Sequence, residues 1–196
     1  MVIILLSVLL IILLAIGIIE SYYHHYYLKK IPIRIHVNGA RGKSSVTRLI
    51  ASGIRESGKK VLAKTTGSSP RIISKEGKDI AIHRLRSASI GEQVRLIRNF
   101  AKQDIDILII ECMAVQPQYQ WISEQKMIKS SIGVITNVRP DHLDEMGYTM
   151  NDIAMSLSNS IPNNGTLVVH KDRFLDLFQG IASKRNTKLK VSSNNS

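Results

Sequence analysis

Val37-Asn38-Gly39-Ala40-Arg41-Gly42-Lys43-Ser44-Ser45 joins a short apolar stretch, 31–37, to a segment, 44–57, that reads as a helix ending near Gly58. Pro32 sits at the start of the stretch, where a missing N–H is tolerated in a strand. A glycine-rich turn between strand and helix turns backbone N–H groups toward one point, and the helix end adds positive partial charge. Lys43 in this pattern reaches the β- and γ-phosphates of a nucleotide, and Ser44 offers its hydroxyl to Mg²⁺. The common phosphate-loop pattern wants glycine where Val37 stands, so this is a variant loop with Gly39 three residues before Gly42. Arg41 either touches a phosphate or faces solvent.

Further along, strands and helices alternate. Strands are expected at 61–64, 105–110, 132–136, 166–169 and 188–191, and helices at 152–161 and 172–178. Ser89-Ile90-Gly91-Glu92 has the spacing of a capping box that opens a helix to Lys102. Residues 71–88 are basic and irregular, either a hairpin or a mobile loop. The alternation predicts an α/β fold, a mainly parallel sheet with helices on both faces. Ligands of such sheets bind beyond the carboxyl ends of the strands, and every candidate motif falls there.

Glu111 ends a continuous apolar run, a position where a carboxylate needs a function. It can share Mg²⁺ with Ser44 and phosphate oxygens, since one or two carboxylates plus nucleotide is the usual Mg²⁺ arrangement. Asn137, Asp141, His142, Asp144 and Glu145 crowd the loop after 132–136. There His142 either ligates a second Mg²⁺ or orients the reacting group, while Asn137 and Asp141 position it or bind metal-bound water. Thr65-Thr66-Gly67 is either a phosphate or substrate contact or simply a turn. Cys112, the one cysteine, excludes an internal disulfide and reads as a packed structural thiol.

Positions 2–19 carry no charge and are long enough as a helix to cross a bilayer. A cleaved signal peptide would want a basic residue before the run and small residues after it. Here Ile18-Ile19-Glu20 closes the run, then Tyr22, Tyr23, Tyr26 and Tyr27, then Lys29, Lys30 and Arg34. That order describes the cytoplasmic end of an uncleaved anchor. The expected organisation is an anchor and interfacial segment at 1–28, an ATP-binding domain at 31–191 and a polar tail at 192–196, in a cell-membrane, single-pass protein with a cytoplasmic domain.

The whole chain has 196 residues and a net charge of +12, from 27 Lys and Arg against 15 Asp and Glu. That balance favours anionic partners without choosing among them. A nucleic-acid role lacks any recognisable motif.

The loop 37–45 resembles the Gly-Thr-Asn-Gly-Lys-Thr-Thr loop of the ATP-dependent Mur ligase superfamily, with Arg41 in place of asparagine. Residues 135–147 resemble its Asn-x-x-x-Asp-His-x-Asp signature, and Glu111 matches its metal-binding glutamate. With the apolar anchor, Lys64-Thr65-Thr66-Gly67, Ile90-Gly91-Glu92-Gln93 and Glu111-Cys112-Met113-Ala114-Val115, the chain is similar to ligase subunits of bacterial poly-γ-glutamate synthases. The resemblance implies that ATP is cleaved to join glutamate to a poly-γ-glutamate chain through an acyl phosphate, with other membrane subunits as partners. It implies nucleotide contacts from Asn38, Gly39, Ala40, Arg41, Gly42, Lys43, Ser44, Ser45 and Asn137, Mg²⁺ ligands Ser44, Glu111 and His142, and catalytic roles for Lys43, Glu111 and His142. Two departures are expected: no C-terminal ligase domain, and no carbamylated lysine at 155–159, which reads Met-Ser-Leu-Ser-Asn. They leave open a truncated ligase form, a membrane-bound P-loop nucleotide hydrolase or a non-catalytic nucleotide-binding partner.

Overall fold

The computed structural model describes residues 1–67, 69–82 and 91–192. Helix α1, Val2–Lys29, stands clear of everything else along its apolar length and is long and apolar enough to cross a membrane. Only its last turns touch the domain. Leu28 and Ile31 are buried among Ile97, Phe100 and Ile128, and His24 Nε2 lies 2.7 Å from the Met127 carbonyl. The Arg34 guanidinium fastens this joint. It donates to Leu28 O and Ile31 O at the end of α1 and to Ile128 O and Lys129 O on the other side.

The domain is a single sheet of eight strands in the order β4-β3-β2-β5-β1-β6-β7-β8. The strands are β1 Ile33–Asn38, β2 Val61–Thr65, β3 Arg71–Ile73, β4 Asp79–Ala81, β5 Ile107–Glu111, β6 Ile132–Ile135, β7 Thr166–His170 and β8 Lys188–Ser192. All neighbours pair in parallel except β2-β3 and β3-β4, which form an antiparallel edge. The first part of the basic stretch is therefore this hairpin edge. Arg84, Arg86 and the first half of the expected capping box lie outside the described residues.

β1 is central, with β5 on one side and β6 on the other. Its two faces differ. Ile35 and Val37 pack with Ile107, Ile109 and Ala51 beneath helix α2, Lys43–Glu56. His36 and Asn38 point the opposite way, toward α3 (Glu92–Ala101), α4 (Pro117–Ile122), the π-helical turn Ser123–Ile128 and α6 (Met150–Ser158). A third cluster packs α6 and α7, Leu175–Lys184, on β6 and β7 through Leu157, Phe178 and Leu167.

The sequence pattern misses α4 and the π turn because Gln120, Ser123 and Glu124 are polar yet fully buried, which erases the apolar stripe that marks a helix. It also starts the next helix late. Thr149 caps α6 with a reciprocal Thr149–Asp152 capping box, so the helix begins at Met150 and stops at Ser158. The following helix runs from Leu175 instead of 172. Lys64, inside a strand expected from its apolar neighbours, is fully buried, with Nζ 3.5 Å from Glu92 Oε1.

Candidate active site

The loop after β1 is shaped by its glycines. Gly39 has φ +132°, and a Cβ there would overlap Thr136 Oγ1 and come 2.9 Å from Thr136 N. No side chain fits. Gly42, φ 77°, is the N-cap of α2. The first bond of that helix runs from Val46 N–H to Gly42 O at 2.9 Å. The N–H groups of Lys43, Ser44 and Ser45 thus precede the helical ladder and form an anion-binding end.

Lys43 Nζ donates to Gly39 O at 2.6 Å and Ala40 O at 3.1 Å, folded back over its own loop. Glu111 is buried at 3% exposure, yet satisfied. Its Oε2 accepts from Ser44 Oγ and from Thr66 N–H, each at 2.8 Å. One carboxylate therefore joins the ends of β5 and β2 to the start of α2. Thr66 contributes its backbone and no side-chain oxygen to that bond.

The signature loop after β6 closes the far side. His142 adopts φ 47°, the left-handed region, and caps the short helix α5, Leu143–Met146. Asp141 Oδ1 lies 3.1 Å from the Arg41 guanidinium and 3.9 Å from His142 Nε2. The Arg41 side chain is largely exposed and lies at the cavity's edge. It bridges the phosphate loop to the signature loop.

These pieces enclose a cavity of about 700 Å³ at the carboxyl rim, lined among others by Asn38, Arg41, Lys43, Ser44, Glu111 and His142. Ala40, Gly42 and Ser45 also line it. The side chains and backbone that line this cavity do not include Gly39 or Asn137. Gly39 supplies only its carbonyl to Lys43. Asn137 faces the other side of the loop, along a second groove shared with Thr136 and Val134, where its side chain accepts from Arg41 N–H and donates to Arg41 O. In this structure Asn137 holds the loop's shape.

Ser44 Oγ and Glu111 Oε2 present adjoining hard oxygen donors that suit Mg²⁺ completed by phosphate and water. Among the described residues, no three His, Cys, Asp or Glu side chains converge as a metal cluster. His142 lines the same cavity beside Asp141.

Beneath the loop lies a polar network that sequence reading missed. Asn38 Nδ2 donates to Gln120 Oε1 at 2.8 Å and Ser160 Oγ at 3.1 Å. Gln120 Nε2 donates in turn to Val115 O and Ser156 Oγ. One residue back, His36 Nδ1 is 2.8 Å from Glu124 Oε2, and Glu124 also accepts from Ser130 N–H and Oγ. Burial disfavours charge on the His36 ring, but the neighbouring Cys112 and the Glu124 carboxylate outweigh it and hold the group up at about 10. Cys112 is buried and structural in position, with Sγ directed to Ala114 O. Only the alternation of β1 signals any of this: His36 and Asn38 are polar at two successive positions of one strand face.

Residues 37–196 match the Mur ligase middle domain. This chain belongs to that family. It is 45% identical over 170 residues to the capsule biosynthesis protein CapB of Bacillus anthracis, covering 85% of this chain and 36% of that protein. It is 39% identical over 167 residues to PGA synthase CapB of Bacillus subtilis strain 168, covering 84% of this chain and 42% of that one. The chain thus spans about two-fifths of the length of these curated relatives. Among solved structures, E. coli FolC in complex with ADP superposes with a TM-score of 0.69 at 14% identity, over 87% of this chain and 45% of that one. The Yersinia pestis folylpolyglutamate synthase/dihydrofolate synthase complexed with AMPPNP and Mn superposes at 0.67 and 16% identity, over 88% and 45%. At that identity the likeness shows a shared fold alone.

Proposed function

We propose that this Mur ligase domain binds ATP and serves an amide ligase that extends poly-γ-glutamate at a membrane. The observation that carries the reading is the sharing of one cavity by Lys43, Ser44, Glu111 and His142 in a chain 45% identical to a capsule biosynthesis protein.

The residues divide the work as follows. Lys43 swings from the Gly39 and Ala40 carbonyls onto the β- and γ-phosphates, while the N–H groups that open α2 hold the remaining phosphate oxygens. Ser44 and Glu111 hold Mg²⁺, which when bound neutralises phosphate charge. A γ-carboxylate of the growing chain enters past Arg41 and Asp141, and His142 steadies it. Its oxygen attacks the γ-phosphorus, the bond to the bridging oxygen breaks and ADP leaves. The amino group of the next glutamate then attacks the acyl carbon; phosphate departs and the nitrogen gives up a proton. Catalysis here is alignment plus charge neutralisation.

Under the same proposal α1 is an uncleaved anchor, the domain is cytoplasmic and further membrane subunits complete the synthase. Support comes from Leu28, the last apolar residue of α1, which is buried in the domain core beside Ile31. Lys29, Lys30 and Arg34 follow the apolar run, the bias expected on the cytoplasmic side.

The test is ADP release by this chain, alone and with the C-terminal portion of a CapB supplied, measured with and without glutamate acceptor. The expected result is acceptor-dependent release that Lys43→Ala abolishes. Release indifferent to acceptor would instead identify a nucleotide hydrolase.

A further inference from the structure

Some cations of this surface have acidic partners. Arg48 meets Asp79, Lys60 meets Asp104, and Arg41 meets Asp141. Around the base of α1 they do not. Lys30 Nζ lies 4.7 Å from the Tyr26 ring centre, and the Arg98 guanidinium and Lys102 ammonium approach Tyr27 at 5.7 and 6.0 Å. Lys129 Nζ contacts His25 Nε2, and Lys126 sits over Trp121 at 5.3 Å. Among the described residues, none of these five cations forms an ion pair with a carboxylate. Arg98 Nε is buried without a hydrogen-bond partner. Partial burial, and then the nearby Lys126 and Arg34, pull the Lys129 ammonium below its ordinary value.

These groups come from separate elements, α1, α3 and the π turn, yet they meet at the last turn of the apolar helix. The joint at Arg34, His24 and Leu28 fixes them there. Aromatic rings with cations at the end of a bilayer-length helix lie at headgroup level. Basic groups there attract anionic lipid, each adding on the order of fivefold in affinity.

We propose that Lys30, Arg98, Lys102, Lys126 and Lys129 form a collar that binds the headgroups of anionic phospholipids and seats the domain on the membrane surface. The inference rests on α1 as a membrane anchor. A seated collar would set the orientation of the sheet's carboxyl rim relative to the bilayer.

The experiment uses the full chain in mild detergent with equal amounts of phosphatidylglycerol and phosphatidylcholine, and counts retained lipids by native mass spectrometry. The wild type should retain phosphatidylglycerol at least roughly tenfold over phosphatidylcholine. The triple variant Arg98→Gln, Lys102→Gln, Lys126→Gln should lose that preference while still binding nucleotide, which reports an intact fold. Equal retention of both lipids by the wild type, or an undiminished preference in the variant, would overturn the collar. So would indifference to headgroup combined with a variant-sensitive affinity for soluble poly-glutamate, which would make the patch a polymer site. Alkaline carbonate extraction separates the two readings. Release of the chain from membranes removes the anchor itself, whereas retention without lipid preference removes the collar alone.

Discussion

The two faces of β1 solve opposite problems. Toward α2, Ile35 and Val37 sit in a dry layer with Ile107 and Ile109, held by non-directional burial. Toward the π turn, His36 and Asn38 are buried just as deeply but pair with Glu124, Gln120 and Ser160. Apolar packing tolerates small shifts. A buried polar network does not, because an unmade bond costs its full desolvation penalty. The directional face lies directly beneath the phosphate loop, so the network fixes where the loop begins while the apolar face supplies the bulk of the stability.

Breaking the polar face should cost the most. Glu124→Ala strands the His36 ring and the Ser130 donors and should destabilise by about 3–5 kcal/mol in denaturant titrations of detergent-solubilised chain. Adding His36→Leu should recover part of that loss, because no buried charge is then left alone. A single variant as stable as wild type would show that the pair is not a pair. On the dry face, Ile109→Ala should cost about 2–5 kcal/mol but leave nucleotide affinity intact once the protein is folded. Asn38→Ala should cost less, about 1–3 kcal/mol, yet weaken nucleotide binding, since Gln120 and Ser160 no longer tether the strand end. If Ile109→Ala and Asn38→Ala affect nucleotide affinity equally, the division between the faces fails.

The pH dependence sharpens the same contrast. His36 is raised from 6.5 to about 10 in the folded chain. Its contribution is therefore complete below pH 6.5 and disappears as pH climbs through about 10. Thermal stability should fall across that window, and the fall should be shallower in the His36→Leu, Glu124→Ala double variant. The smallest effect belongs to the Arg41–Asp141 bridge, whose guanidinium is largely exposed. Asp141→Ala should change stability by less than about 1 kcal/mol and show itself in the acceptor's KM.

Much of this architecture is legible in the sequence because Ile105–Ile110 and its counterparts are continuous apolar runs, and Gly39 and Gly42 punctuate the turn. The rim placement of Lys43, Ser44, Glu111 and His142 follows from those strands alone. The polar layer is illegible for a physical reason. Gln120, Glu124 and Ser160 read as surface residues, and their burial is intelligible only once the partners across 82 and 88 residues are known. Asn137 makes a contact the motif does not reveal: its amide tethers the signature loop to Arg41 of the phosphate loop, a partner 96 residues away.

The central claim is that Ser44 and Glu111 act together on a magnesium-bound triphosphate. Its most direct measurement is ATP affinity by isothermal titration of the full chain, with Mg²⁺ and with chelator, for wild type and Glu111→Gln. Wild-type affinity should fall at least roughly tenfold on chelation, a change of about 1.4 kcal/mol, and the variant should be weak and insensitive to Mg²⁺. A variant that keeps the full magnesium response would contradict the account.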